Sequence, residues 1–373
     1  MPQSNFTVQT EMNTSLNINY DFPVSVILDK AKYVHRVKLM KAAGVKTVWL
    51  NCFLYGFWES SVKDIERAKS ILESDGFEVQ ALTVPLGHGS QALDPSMPID
   101  ENIRPGWQRR MDSEGSYIIN TACINDHLIK DSHDAAKALC ELGISKIFYD
   151  DDLRMGSWGP ALQGCFCDRC LDRFHKKYPE FDGMSRNDII KYGTEGSPVR
   201  KAWENIQCSS VIRFLKDATP TGMAPGIMIM HNGDRRHGLD IEAIKNEIPN
   251  VFFRIGEGHF NDDSFNCPDG CRSISVSILR HLNLIGSTGI AYSESTVYPI
   301  GALSPNNWIK KMKIEIACGL RNIFLMSGTG FLTDEYWNAL IKALPSLEEM
   351  AKESPCPDFA KYTTDKSPFI WNL

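Results

Sequence analysis

Ser145-Lys-Ile-Phe-Tyr149 is a short apolar run that ends in three consecutive acids, Asp150, Asp151 and Asp152. A helical pattern over 129–142 precedes it and stops at Gly143. Helix, glycine, apolar strand and then polar residues make up the repeating unit of a parallel α/β fold. The unit recurs in both directions along the chain. Upstream, the runs 24–28, 47–53 and 79–84 read as strands, and helical spacing fills 31–43 and 62–74. Downstream, strands are expected at 226–231, 251–255, 288–293 and 322–326, separated by helical stretches at 199–216, 241–247, 274–284 and 308–319. Eight strands alternating with helices predict an α/β fold of the (β/α)8 TIM-barrel class over an open sheet. The expected boundaries are a lead-in over 1–23, a barrel over 24–350 and a tail over 351–373. Residues 86–121 lack clear periodicity apart from a short strand at Tyr117-Ile-Ile119, and a stretch of this length is usually functional or an insertion.

Composition supports one large core. Of 373 residues, 43% are hydrophobic and 23% charged, which argues against global disorder. The net charge of −6 and pI near 5.9 leave no basic footprint for nucleic acid. No apolar run approaches the roughly 20 residues needed to span a bilayer, so a membrane partner is not expected. Residues 1–20 have neither a basic start nor an apolar segment, so they do not read as a secretory signal. Cytoplasmic location is the default expectation, and a homo-oligomer is allowed for. The 11 cysteines fit a reducing compartment with some thiols on metal better than a disulfide framework.

In a barrel the active site is built from the loops after the strands. The polar residues there are Asp29, Asn51, His88, Asp150 to Asp152, His231, Glu257 and Glu294. Any one of them could be a helix cap or a solvated side chain. Together they would converge on one face. Two carboxylates facing each other from different strands are the minimum for glycoside hydrolysis. Asp152 or Asp151 on strand four is the candidate acid/base, and Glu294 on strand seven the candidate nucleophile. Asp150, His88, His231, Trp58, Trp158, Tyr292 and Glu257 are candidate substrate-binding residues, the tryptophans by stacking on a sugar ring. Tyr292 is expected to hydrogen-bond Glu294. The Asp run could also be a solvated loop or a Ca²⁺ or Mg²⁺ site.

Cys165, Cys167 and Cys170 follow strand four in a Cys-x-Cys-x-x-Cys pattern. Thiols this close suit a tetrahedral Zn²⁺ that needs a fourth ligand. Cys123 is the best candidate, with His127, His133 and His175 as alternatives. Four sulfurs would close the coordination sphere and make the zinc structural. Cys267 and Cys271 form a second close pair for which no role is expected.

The layout resembles family 42 of the glycoside hydrolases, the clan A β-galactosidases. The resemblance rests on Cys123 before strand four, the Cys165, Cys167 and Cys170 cluster after it, and Glu294 on strand seven. It implies a structural zinc on those four cysteines, Glu294 as nucleophile and a carbohydrate substrate. The family's Asn-Glu acid/base pair at strand four is absent, and Asp151-Asp152 stand in its place. A carbohydrate-binding barrel without turnover, or a metal-dependent hydrolase using the Asp run and His231, are the alternative expectations.

Overall fold

In a computed structural model of the chain, residues 15–87, 104–150, 153, 155, 162–230, 235–328 and 331–354 are described. Eight parallel strands form the barrel: β1 (Asn17–Pro23), β2 (Val45–Leu54), β3 (Glu78–Val84), β4 (Lys146–Tyr149), β5 (Ala224–Ile229), β6 (Phe252–Ile255), β7 (Ala291–Tyr292) and β8 (Asn322–Met326). Each pairs with the next, and β8 returns to β1 with Asn17 opposite Asn322 and Tyr20 opposite Leu325. The sheet therefore has no open edge. A helix follows each strand: α1 (Lys30–Ala42), α2 (Val62–Ser74), α3 (Asp126–Glu141), α4 (Pro198–Ala218), α5 (Ile241–Glu247), α6 (Gly270–Ile285), α7 (Pro305–Ala317) and α8 (Asp334–Glu353).

The chain enters the barrel earlier than its hydropathy suggests. The expected first strand, Val24–Leu28, is a short helix, and β1 lies inside the expected lead-in of 1–23. The cause is the sequence of β1, Asn-Ile-Asn-Tyr-Asp-Phe-Pro. Strand side chains alternate between faces. Ile18, Tyr20 and Phe22 pack in the large outer core, whereas Asn19 donates no apolar surface and instead accepts from Trp49 Nε1 at 2.9 Å. A polar inner face disguises the strand as a linker. The other seven strands fall where the apolar runs place them.

The barrel lumen is filled by a second core of Trp49, Leu82, Phe148, Met228, Phe252, Tyr292 and Phe324. Trp49, Phe148, Phe252 and Phe324 come from the even-numbered strands, which is the layering expected of a packed barrel. Trp49 lies 5.8 Å from Phe148, 5.6 Å from Phe252 and 5.7 Å from Phe324 between ring centroids. These are the tilted and edge-on contacts that aromatic quadrupoles favour.

Among the described residues, two long excursions leave the barrel. After β3, strands Arg109–Met111 and Tyr117–Ala122 form an antiparallel hairpin. After β4, the cysteine loop leads into helix Asp168–Lys177, which precedes α4. Among the described residues, no helix is long and apolar enough to cross a membrane.

Candidate active site and cysteine centre

Two residues beyond the aromatic layer, on the same inward face, the even strands change character. Phe148 is followed by Asp150, Phe252 by Arg254, Phe324 by Met326 and Trp49 by Asn51. Strand alternation alone therefore stacks a polar tier on an apolar floor. Arg254 is the centre of that tier. Its Nη1 and Nη2 reach the two oxygens of Asp150 at 3.0 and 2.8 Å, and Nη2 stands 3.9 Å from Glu294 Oε1. Its guanidinium also lies over Phe148 and Phe324, 5.5 and 5.7 Å from the ring centroids. All three charged side chains are at most 4% exposed.

Asp21, at the end of β1, faces the same tier. Its carboxyl is pushed up to about 7, first by burial and then by Asp150, while Arg254 and the Asn51 side chain pull the other way. Three acids converge near one guanidinium, so one of them keeps a proton near neutrality.

Glu294 follows β7 and occupies the position expected of a barrel catalytic residue. Its Oε2 accepts from the backbone N–H groups of Glu257 and Gly258, at 2.8 and 3.1 Å. Two backbone donors meet one oxygen of the carboxyl, and the Arg254 cation stands beside the other. Glu257 reciprocates: its Oε1 accepts from the Glu294 N–H at 3.1 Å. The two loops after β6 and β7 are thereby buckled together.

Several expected substrate contacts have other roles. Asp150 is tied to Arg254 and does not face the mouth as a free acid. Glu257 has a side chain 0% exposed beside Lys311 of α7, so it lies behind the mouth and not in it. Burial, then Glu315, raises its carboxyl well above the usual range, and Lys311 opposes the shift. Tyr292 belongs to the aromatic floor, 5.3 Å from Phe252 and 6.1 Å from Trp49, and makes no hydrogen bond to Glu294. As an inward residue two positions before Glu294, it sits one tier too deep. Trp58 is half-buried and packs edge-on against Phe53 at 5.4 Å. Asp29 caps α1 through Ala31 and Lys32 N–H, which is the bland role open to any polar residue after a strand. Asp151, Asp152, His88, His231 and Trp158 lie outside the described residues.

Sequence reasoning passed over Arg254 and Asp21. Arg254 carried a signal, because a lone charge inside the run Val251-Phe-Phe-Arg-Ile255 must find a buried partner. Asp21 carried none while β1 was taken for a lead-in.

The cysteine centre brings together all four expected thiols. The Sγ atoms of Cys123, Cys165, Cys167 and Cys170 lie within 4.8 Å of one another, and all four residues are buried. Cys123 Sγ is 3.8 Å from that of Cys167 and 3.6 Å from that of Cys170. A tetrahedron of sulfurs at the usual Zn–S bond length of 2.3 Å has an edge of about 3.8 Å, so the spacing fits such an ion. Two of the three alternative ligands are engaged elsewhere: His133 Nδ1 with Asp217 O at 3.0 Å and His175 Nε2 with Met184 O at 2.9 Å. Hydrogen bonds from Cys123, then Cys165 and Cys170, hold the Cys167 thiol far below the ordinary range.

Local geometry explains why the loop can form. Gly164 has φ +128, and a Cβ there would meet Trp203 Nε1 at 2.7 Å, so only glycine fits. Trp203 donates to Gln163 O at 2.7 Å, and Gln207 accepts from Cys165 N–H at 3.3 Å. On the other side, Met111 N–H donates to Cys165 Sγ at 3.4 Å and Phe166 N–H to Met111 O at 2.9 Å. The centre thus joins hairpin, loop and α4.

No protein-family model matches the chain, and no curated protein matches it in sequence. Similarity appears in the solved structures. The fold is similar to alpha-L-fucosidase isoenzyme 2 from Paenibacillus thiaminolyticus, with a TM-score of 0.50 and 12% identity over 90% of this chain and 49% of that one. The chain therefore spans about half the length of the fucosidase. A structure from a study of two fungal beta-1,4-galactanases matches with a TM-score of 0.43 and 10% identity, covering 84% of this chain and 90% of that one. At 12% identity the likeness to the fucosidase shows the fold alone, a TIM barrel.

Proposed function

We propose that the chain is a retaining glycoside hydrolase with Glu294 as nucleophile and Asp152, or Asp151, as acid/base. The observation that carries this reading is the Glu294 carboxylate at the end of β7, met by two backbone amides and faced by Arg254. One oxygen is anchored by the amides. The other is left for an anomeric carbon. In the first step Glu294 Oε1 bonds to that carbon, the glycosidic C–O bond breaks, and the leaving oxygen takes the proton of the strand-four acid. In the second, the resulting carboxylate takes a proton from water, whose oxygen displaces Glu294 from the sugar. The Arg254–Asp150 pair supports the site from below and keeps a positive charge near the nucleophile. The resemblance to family 42 makes β-galactosides the first substrates to try.

The cysteine centre is read as a structural zinc site. Bound there, zinc would supply cross-linking of four thiolates, with no open coordination position for water.

The test is a panel of aryl glycosides with product stereochemistry followed by NMR. Wild-type protein is expected to release the sugar with retained configuration, and Glu294→Gln is expected to lower kcat by about 10³-fold or more. Retained turnover in a folded Glu294→Gln variant would remove Glu294 from the mechanism. A second reading, a barrel that binds sugar without cleaving it, is favoured by the engagement of Asp150 with Arg254. Saturable sugar binding with no hydrolysis across the panel would select it.

A further inference from the structure

We infer that Lys311, Glu257 and Glu315 form a buried positioning network that fixes the Glu294 backbone and so aims its carboxylate. The inference rests on the reading of Glu294 as the nucleophile.

Lys311 and Glu315 sit on α7, at i and i+4, on the stripe that also carries Trp308 and Met312. Charged residues on an apolar stripe are costly unless paired. Lys311 has a side chain 0% exposed, and its Nζ donates to Glu294 O and Gly258 O, both at 2.7 Å. It stands 3.7 Å from Glu257 Oε2. Glu257 in turn holds the Glu294 N–H. The network therefore grips the peptide groups on both sides of the Glu294 Cα and the loop whose amides bind its carboxylate. Glu315 completes it. Its Oε2 accepts from Ser295 Oγ at 2.6 Å, and Ser295 Oγ meets Ser293 Oγ at 2.7 Å. These serines flank Glu294 in sequence.

Glu257 Oε2 and Glu315 Oε1 are both buried. Burial and then the neighbouring Glu315 raise the Glu257 carboxyl well above its usual range, and Lys311 opposes that shift. The three side chains act on the Glu294 backbone and its neighbours and not on its carboxylate. They are positioning residues.

The experiment uses the 373-residue chain and the aryl glycoside it cleaves best. Lys311→Met is expected to lower kcat by about 10- to 100-fold with KM changed less than about threefold, as a small misplacement of a reacting group does. Glu315→Leu is expected to fall likewise. Glu315→Gln should recover most of the loss, because its amide donates to Glu257 while its oxygen still accepts from Ser295. In wild-type protein labelled with ¹³C at the glutamate carboxyl carbon, Glu257 should titrate well above the usual carboxylate range, and the Glu294 resonance should move in Lys311→Met. A Lys311→Met protein with unchanged kcat and an unmoved Glu294 resonance would overturn the inference even where Glu294→Gln is inactive. Should Lys311→Met fail to fold, the Leu and Gln variants at 315 decide alone: equal activity in both would overturn it. Turnover by Glu294→Gln would instead strike the nucleophile assignment, and the NMR readout would still report on the network.

Discussion

The two sides of the barrel mouth are held together by different chemistry. On the β4 side, four thiols within 4.8 Å gather a hairpin, a loop and α4. On the β6–β7 side, Glu257 and Glu294 exchange backbone hydrogen bonds, with Lys311 and Glu315 behind them. The first arrangement has the spacing of a metal site, and we propose that an ion keeps its four sulfurs close. The second is made of hydrogen bonds among buried side chains and backbone. The β4 side is an excursion that the barrel does not need in order to close, whereas the β6–β7 side is built into the barrel wall. One side can therefore be unmade without the other.

The largest expected effect comes from withdrawing the metal. Structural zinc is worth about 10–16 kcal/mol in small zinc-dependent peptides, and part of that should appear here. A strong chelator is expected to lower Tm and to open the segment 162–192 to protease, and metal analysis should find one zinc per chain. A Tm that ignores the chelator would mean the thiols stand without an ion. Next comes Arg254→Met, which leaves Asp150 buried without its cation. Loss of one partner of such a pair costs about 3–5 kcal/mol, to be read from urea unfolding. The cysteine centre should keep its metal in this variant, and loss of zinc would show that the two sides are one unit.

The smallest expected effect concerns Asp21, which joins the two sides by facing both Asp150 and Arg254. Its carboxyl holds its proton up to about 7, against 3.8 as the ordinary value. Between those values the folded chain carries a proton that the unfolded chain has lost, so stability falls as pH rises through that window and levels off above it. The total decline is at most roughly 4 kcal/mol. Asp21→Asn should lack it in urea midpoints taken from pH 4 to 8. An identical slope in the variant would place the titration elsewhere in the tier.

Much of this was legible in the sequence, for reasons that differ by residue. Strands β2 to β8 announced themselves because their outer and inner faces are both apolar through most of their length. The β1 strand did not, since Asn19 and Asp21 point into the lumen and break the run. The cysteine centre was readable because Cys165, Cys167 and Cys170 are adjacent in sequence, and only Cys123 had to be brought from afar. Glu294 was readable from its place after a strand. Of the partners of Glu294, Arg254 left a signal as a lone charge in an apolar run, whereas Lys311 and Glu315 left none, because their contacts depend on helix α7 packing behind β7. Tyr292 shows the limit most plainly. It is two residues from Glu294 in sequence, yet one tier beneath it in space.

The aromatic floor has a last consequence, for traffic. Trp49, Phe148, Phe252 and Phe324 fill the lumen under Arg254, so among the described residues the barrel is a vessel closed at its floor. Whatever enters past Glu294 must leave by the way it came. Under the proposed reaction, a cleaved leaving group would have to depart the mouth before water could arrive from the same side, and the floor would then help to set the order of those two events.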